Sequence, residues 1–316
     1  MTEIPRKSSE FKLVIAGLDN AGKTSALIAL RQKYNFYERV KNLKPTIKID
    51  YSSFKFLKTF RINLWDMGGQ KKFRKIYINN PIYFEDTDYI YYLIDIQDEI
   101  KFEETIEYIQ ELLDIYRTLS YSNEVIICFN KFDPQFRNSS EFLDRANMIK
   151  HLIKSQNKDI KFEFYNTSYY DIASISKAFS HSLNSLLNLG DIDNGLNKLV
   201  EKFNCRYAIL YTDSGIIISD HYVDMMDIRE FDEKIGHKIS HDLEFFQRLK
   251  DENVTIDDRI AFSEDRTDYV KKFSILSENK DNTFYVGVST TVRNINEIKI
   301  ELEKLRNILQ ISFTQT

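Results

Sequence analysis

The sequence predicts a mixed α/β chain in two parts: a doubly wound, mostly parallel sheet, then a smaller α+β domain. Three observations carry this. Strand-like apolar runs alternate with helical patterns through about the first 190 residues, which implies right-handed crossovers. A glycine loop joins the first strand to the first helix, and further polar motifs stand at later strand ends. After Gly190 the order becomes helix, two strands, helix, three strands, helix. A length of 316 residues suits two domains. We divide it into a tail over 1–10, a first domain over 11–189 and a second over 190–316.

The first strand is the run Phe11 to Ala16, and the helical pattern Ser25 to Leu30 follows closely. Between them lies Gly17-Leu18-Asp19-Asn20-Ala21-Gly22-Lys23-Thr24. A loop of that spacing, ending at a helix N-terminus, turns successive N–H groups inward and forms a nest for polyphosphate. In such a nest Lys23 reaches the β- and γ-phosphates and the Thr24 hydroxyl takes a place on Mg²⁺. The stretch from Lys33 to Lys44 has no period and reads as a loop that leads to Pro45-Thr46. Alternation from Asp50 to Leu57 predicts a half-exposed strand. Lys58-Thr59 would turn it back into an antiparallel partner, Phe60 to Trp65. At its end stands Asp66-Met67-Gly68-Gly69-Gln70. There Asp66 can hold a metal through water, and a glycine N–H can approach a phosphate with no Cβ in the way.

Asp88 to Asp95 is near-continuously apolar and aromatic, as a strand covered on both faces requires. Phe102 to Leu119 has helical spacing, and Val125 to Phe129 is a buried strand running into Asn130-Lys131-Phe132-Asp133. A helix over Phe142 to Ile153, a strand over Lys161 to Tyr165 ending at Asn166-Thr167-Ser168, and a helix over Ile172 to Leu187 complete this half.

In the second half the helix Ile192 to Phe203 precedes strands at Tyr207 to Tyr211 and Ile216 to Ser219, joined by the turn Thr212-Asp213-Ser214-Gly215. A long helix over Ile228 to Leu249 follows. Strands are predicted near Arg259 to Phe262, Tyr269 to Leu276 and Phe284 to Val288, with Asp281 and Asn282 in the last turn. Ile295 to Ile311 closes the chain as an amphipathic helix whose polar side mixes acids and bases, so we expect it to pack on its own sheet and not on a membrane. No catalytic constellation appears here; His221, His237 and His241 stand isolated.

Composition narrows the function. With 42% hydrophobic and 29% charged residues the chain can form a sizeable core in each domain. A net charge of −4 gives no reason to expect nucleic acid as a partner. No apolar run reaches membrane-spanning length, and the expected place is the cytoplasm, with no intrinsic membrane anchor: Thr2 and the ending Phe313-Thr314-Gln315-Thr316 offer no lipidation signal. Cys128 and Cys205 lie far apart, and Cys128 reads as a core thiol.

The ordered set GLDNAGKT, PT, WDMGGQ, NKFD and NTS resembles the small GTPases of the Ras superfamily. GLDNAGKT and WDMGGQ look most like the Arf branch, while Lys44 to Gln70 and Thr167 to Asp171 look like the Rag/Gtr branch. The resemblance implies a P-loop GTPase domain with GTP or GDP and Mg²⁺ as ligands. The loop residues Asp19, Asn20, Ala21, Gly22, Lys23, Thr24 and Ser25 would hold the phosphates; Thr24, Thr46 and Asp66 would be the metal residues. Asn130, Lys131 and Asp133 match the guanine-reading motif, in which an aspartate accepts the N1 and N2 protons that adenine lacks. Ser168 would support that loop, and the Tyr169 N–H would face the guanine oxygen. Thr46 matches the threonine that senses the γ-phosphate. Gln70 matches the glutamine that orients the attacking water, with Lys23 and Gly69 as the other catalytic positions. The second half looks like a roadblock/longin-type domain, which implies a homo- or heterodimer formed through it. The family also implies activating proteins, exchange factors, and effectors at the switch segments around Thr46 and after Gln70.

Asp19 stands where Ras-type proteins carry glycine, as Arf-type proteins also have it. A carboxylate there adds negative charge beside the γ-phosphate and crowds an incoming arginine, and Arg39 does not match a cis-acting one. The expectation is slow intrinsic hydrolysis that depends on an activating protein. The alternative is a nucleotide-bound scaffold with negligible turnover.

Overall fold

The computed structural model describes residues 10–31, 43–56, 60–187, 190–213, 215–222, 228–277 and 280–314. The tail ahead of Glu10, Arg39 and most of its loop, the Lys58-Thr59 turn, Ser214 and Thr316 lie outside them. The chain divides into two compact units, one ending at Ala178 and the other beginning at Phe179.

In the first unit the strands are β1 (Glu10–Ala16), β2 (Ile49–Phe56), β3 (Phe60–Met67), β4 (Tyr89–Asp95), β5 (Val125–Asn130) and β6 (Phe162–Asn166). Their order in the sheet is β2-β3-β1-β4-β5-β6. Only the β2–β3 pair is antiparallel; the other four pairings are parallel. The helices are α1 (Lys23–Arg31), α2 (Lys71–Ile78), α3 (Phe102–Thr118), α4 (Ser140–Gln156) and α5 (Ile172–Leu187), the last running past Ala178. One sheet face, with Val14, Ala16, Ile90, Tyr92, Ile127 and Phe129, packs with α2, α3 and α4 into one apolar cluster. On the other face the Tyr91 hydroxyl donates to the Ala178 carbonyl of α5 at 3.4 Å. The sheet is therefore doubly wound, and β4 and β5, covered on both sides, carry the unbroken apolar runs such strands need.

The second unit is an antiparallel sheet in the order β8-β7-β11-β10-β9. Its strands are β7 (Cys205–Thr212), β8 (Ile217–Tyr222), β9 (Asp258–Phe262), β10 (Thr267–Ser277) and β11 (Lys280–Thr290). The helices α6 (Gly190–Phe203) and α8 (Asn296–Thr314) pack on each other and on β7 and β10. On α7 (Ile228–Asp251), Ile235, Ile239, Leu243 and Phe246 close over Tyr207, Ile209, Tyr211, Val270 and Tyr285.

Two expectations change. The helix α2 was not apparent from the sequence. Asp281 and Asn282 belong to β11 and not to a turn, paired with Leu276 and Ile275 of β10. Polar residues look like turn residues, but the long β10–β11 ladder satisfies their backbone and overrides that preference. Cys128 and Cys205 are both buried free thiols, each pushed up to about 12 by desolvation.

Candidate functional site

The first parallel strand delivers the chain into the loop at Gly17, and the loop closes on the start of α1. Gly22 sits at φ 83°, where an L side chain is strained, and a Cβ there would strike the Asn130 amide. Asn20 also lies in the left-handed region, at φ 62°. Lys23 is 6% exposed and folds back, its Nζ donating to Gly17 O at 3.0 Å and Leu18 O at 2.7 Å. Burial pulls its ammonium down to about 8, against the opposing charges of Asp66 and Asp19. Ser25 lies in the first turn of α1.

The three residues expected to hold a metal converge. The Thr24 hydroxyl donates to Asp66 Oδ2 and lies 2.9 Å from the Thr46 hydroxyl, which is 3.4 Å from the same oxygen. Asp66 is 1% exposed, and its Oδ1 has no hydrogen-bond partner among the described residues. Desolvation pushes its carboxyl above the usual range while Lys23 pulls it down. A buried carboxylate oxygen without a partner, beside two hydroxyls, is a set of hard oxygen donors that suits Mg²⁺.

Gly68 donates its N–H to Lys48 O at 2.7 Å, which ties the segment after Thr46 to the end of β3. Gly69 presses on the backbone of Leu18 and Asp19, nearer than any Cβ could lie. Gln70 is the half-buried residue before α2, and its side chain forms no cap bond to the helix. Asp19 points outward, and Lys101 reaches it with Nζ at 3.3 Å from Oδ1.

The second cluster sits at the ends of β5 and β6. Asn130, the last residue of β5 and 1% exposed, donates to Ala21 O at 2.8 Å and accepts from the Thr167 hydroxyl at 3.0 Å. Lys131 pairs with Asp95 at 2.6 Å. Asp133 Oδ1 accepts from the Ser168 hydroxyl at 2.6 Å, and its Oδ2 accepts from Gln97 Nε2 at 3.1 Å. Each oxygen retains a lone pair for a further donor. Tyr169 is the second residue of the Ser168–Asp171 turn, and its ring lies 4.1 Å from that of Tyr170.

All the expected residues thus gather at the carboxyl ends of the parallel strands, in two clusters that the Asn130 amide bridges. The sequence reading gave no role to Asp95, Gln97 or Lys101, and named Thr167 only within its motif. Asp95 ends β4 and Gln97 follows it, as the other motifs stand at their strand ends, and that position was the available signal.

Comparison with known proteins bears on the same region. The profile of the family described as the Gtr1/RagA G protein conserved region matches residues 12–239. A curated relative, the ADP-ribosylation factor-like protein alp41 of Schizosaccharomyces pombe, is 31% identical over 189 residues, spanning 59% of this chain and 93% of the relative. A solved structure, that of the Arl6 BBS3 small GTPase from Trypanosoma brucei with bound nucleotide analogue GppNp, aligns at 19% identity with a TM-score of 0.46. It covers 57% of this chain and 98% of that one.

Proposed function

Since this chain belongs to the Gtr1/RagA family of G proteins, a family of GTPases, we propose that it is a slow switch that waits for an activating protein and assembles through its second domain. As a member of that family it binds GTP and GDP and hydrolyses GTP to GDP and phosphate. The observation that carries the finer reading is the convergence of Thr24, Thr46 and Asp66 around one unpaired buried carboxylate oxygen.

In this reading Thr24, Thr46 and Asp66 would hold Mg²⁺, which would supply positive charge against the phosphates. Lys23 exchanges the carbonyls of Gly17 and Leu18 for phosphate oxygens, a stronger, charge-assisted pairing. The N–H groups of Asp19 to Ser25 line the phosphates. Asp133 accepts the N1 and N2 protons of guanine, Lys131 and Asn130 shape that pocket, Ser168 holds Asp133 in place, and the Tyr169 N–H meets the guanine oxygen. Gly69 brings an N–H to the γ-phosphate, and Gln70 orients the water that attacks it. Thr46 lies beside the metal set, so loss of the γ-phosphate would release its segment.

Slow turnover would follow from Asp19, whose carboxylate stands at the loop, paired with Lys101. Assembly is supported by β9, an edge strand with Phe262 63% exposed, in a second domain that we place at 190–316 after a GTPase domain at 11–189. We place the chain in the cytoplasm, brought to membranes by partners; no helix among the described residues is long and apolar enough to cross a membrane.

The test is turnover of GTP by the purified full chain beside Gln70→Leu, with and without Mg²⁺. We expect slow, magnesium-dependent phosphate release, reduced at least about tenfold in the variant. Tight guanine nucleotide binding with no turnover in either protein would instead establish the scaffold.

A further inference from the structure

Arg74 lies in α2, four residues beyond Gln70, and is 6% exposed. A guanidinium held that far from water must use its donors on fixed acceptors. Its Nε donates to the Gly69 carbonyl at 2.9 Å, and a terminal nitrogen forms an ion pair with Glu104 in the first turn of α3. Its central carbon stands 4.9 Å from the ring centroid of Tyr108, one turn further along α3 and 1% exposed. One planar group is thereby fixed on two edges and one face.

The bond to Gly69 matters most. Gly69 is pressed against Leu18 and Asp19, so its own N–H end is located by packing. The rotation about its Cα–C bond is the softest torsion between that contact and Gln70, because glycine has no Cβ to restrict it. Pinning the carbonyl sets that rotation and so sets the direction in which Gln70 leaves. We propose that Arg74 is a positioning residue for GTP hydrolysis, which uses Glu104 and Tyr108 as its anchor and fixes the Gly69–Gln70 peptide against the phosphate loop. The inference rests on the roles given above to Gly69 and Gln70. It also makes α3 a support of the reaction centre: Lys101, just before α3, pairs with Asp19, and Glu104 reaches Gly69 through Arg74.

The experiment is single-turnover GTP hydrolysis by the full chain in four forms: parent, Arg74→Lys, Gln70→Leu and the double variant, with GDP dissociation measured on each. Lysine keeps the charge for Glu104 but cannot serve Glu104 and the Gly69 carbonyl with one rigid plane. Arg74→Lys should slow hydrolysis about tenfold and change GDP dissociation by less than about twofold. In the double variant Arg74→Lys should add nothing to the effect of Gln70→Leu, because it acts through that residue. Multiplying effects in the double variant, or equal losses in hydrolysis and GDP retention, would mark Arg74 as structural support and overturn the proposal. If Arg74→Lys does not fold when loaded with GDP, Glu104→Gln carries the same test, with about a threefold slowing expected and no change overturning it. If Gln70→Leu itself leaves hydrolysis intact, the reading of Gln70 fails and this inference with it. If Gln70→Leu slows hydrolysis and Arg74→Lys does not, only this inference fails.

Discussion

Lys12 shows how much one residue can carry outside the nucleotide site. It extends from β1, its Nζ donating to Tyr83 O at 2.9 Å and Glu85 O at 2.7 Å, and it lies 3.6 Å over the Trp65 ring. Burial pulls its ammonium down to about 8, although Asp86, Glu85 and Asp88 pull the other way. The unfolded chain therefore holds more protons than the folded one between about pH 8 and the ordinary lysine value, so this residue's contribution to stability rises with pH across that window. Melting of the GDP-loaded parent and of Lys12→Met should show the parent gaining on the variant from pH 7 to pH 10. A constant difference would refute the shift. Most of the expected site residues were legible because they sit in short motifs at strand ends; Thr46, in the loop before β2, was legible only through the resemblance. Arg74 was not legible, since its anchor Glu104 lies thirty positions away and only the packing of α2 on α3 joins them.

At the scale of elements, two glycines in similar surroundings should behave in opposite ways. Gly69 follows β3, and a Cβ there would run into the Leu18–Asp19 backbone, which cannot rotate aside. Gly69→Ala should cost about 1–3 kcal/mol and weaken GTP more than GDP. Gly287 lies within β11, and its Cβ would meet only a Tyr211 ring carbon at 3.8 Å, an ordinary contact. Gly287→Ala should stabilise the second unit by about 0.5–1 kcal/mol, measured by equilibrium denaturation. A destabilised Gly287→Ala would show that the space is not there. The parallel strands were readable as apolar runs because both their faces are covered. The α2 helix, KKFRKIYI, was hidden because basic residues surround its two buried apolar residues, Phe73 and Tyr77, and one of those basic residues, Arg74, is buried with them. In the second unit, the succession of helices and strands came through while strand ends did not, since pairing and not composition sets where β10 and β11 stop.

At the scale of the whole molecule, the proposed assembly can be tested on the second unit. The edge strand β9 exposes Ile260 and Phe262, and an unpaired strand edge is a template for another chain. Sedimentation of the full chain should show a dimer that Phe262→Asp weakens at least about tenfold. A monomer at all concentrations, or a dimer indifferent to the change, would remove β9 from the interface. A last consequence belongs to Asn130. Its one amide is held by the loop that would carry the phosphates and by the loop that would enclose the base. The two ends of a bound nucleotide would thus not be independently leased. Loosening either hand would loosen the other, so a protein that prised at one end would empty the whole site, and release of a fluorescent GDP should follow a single exponential with no lingering half-held phase.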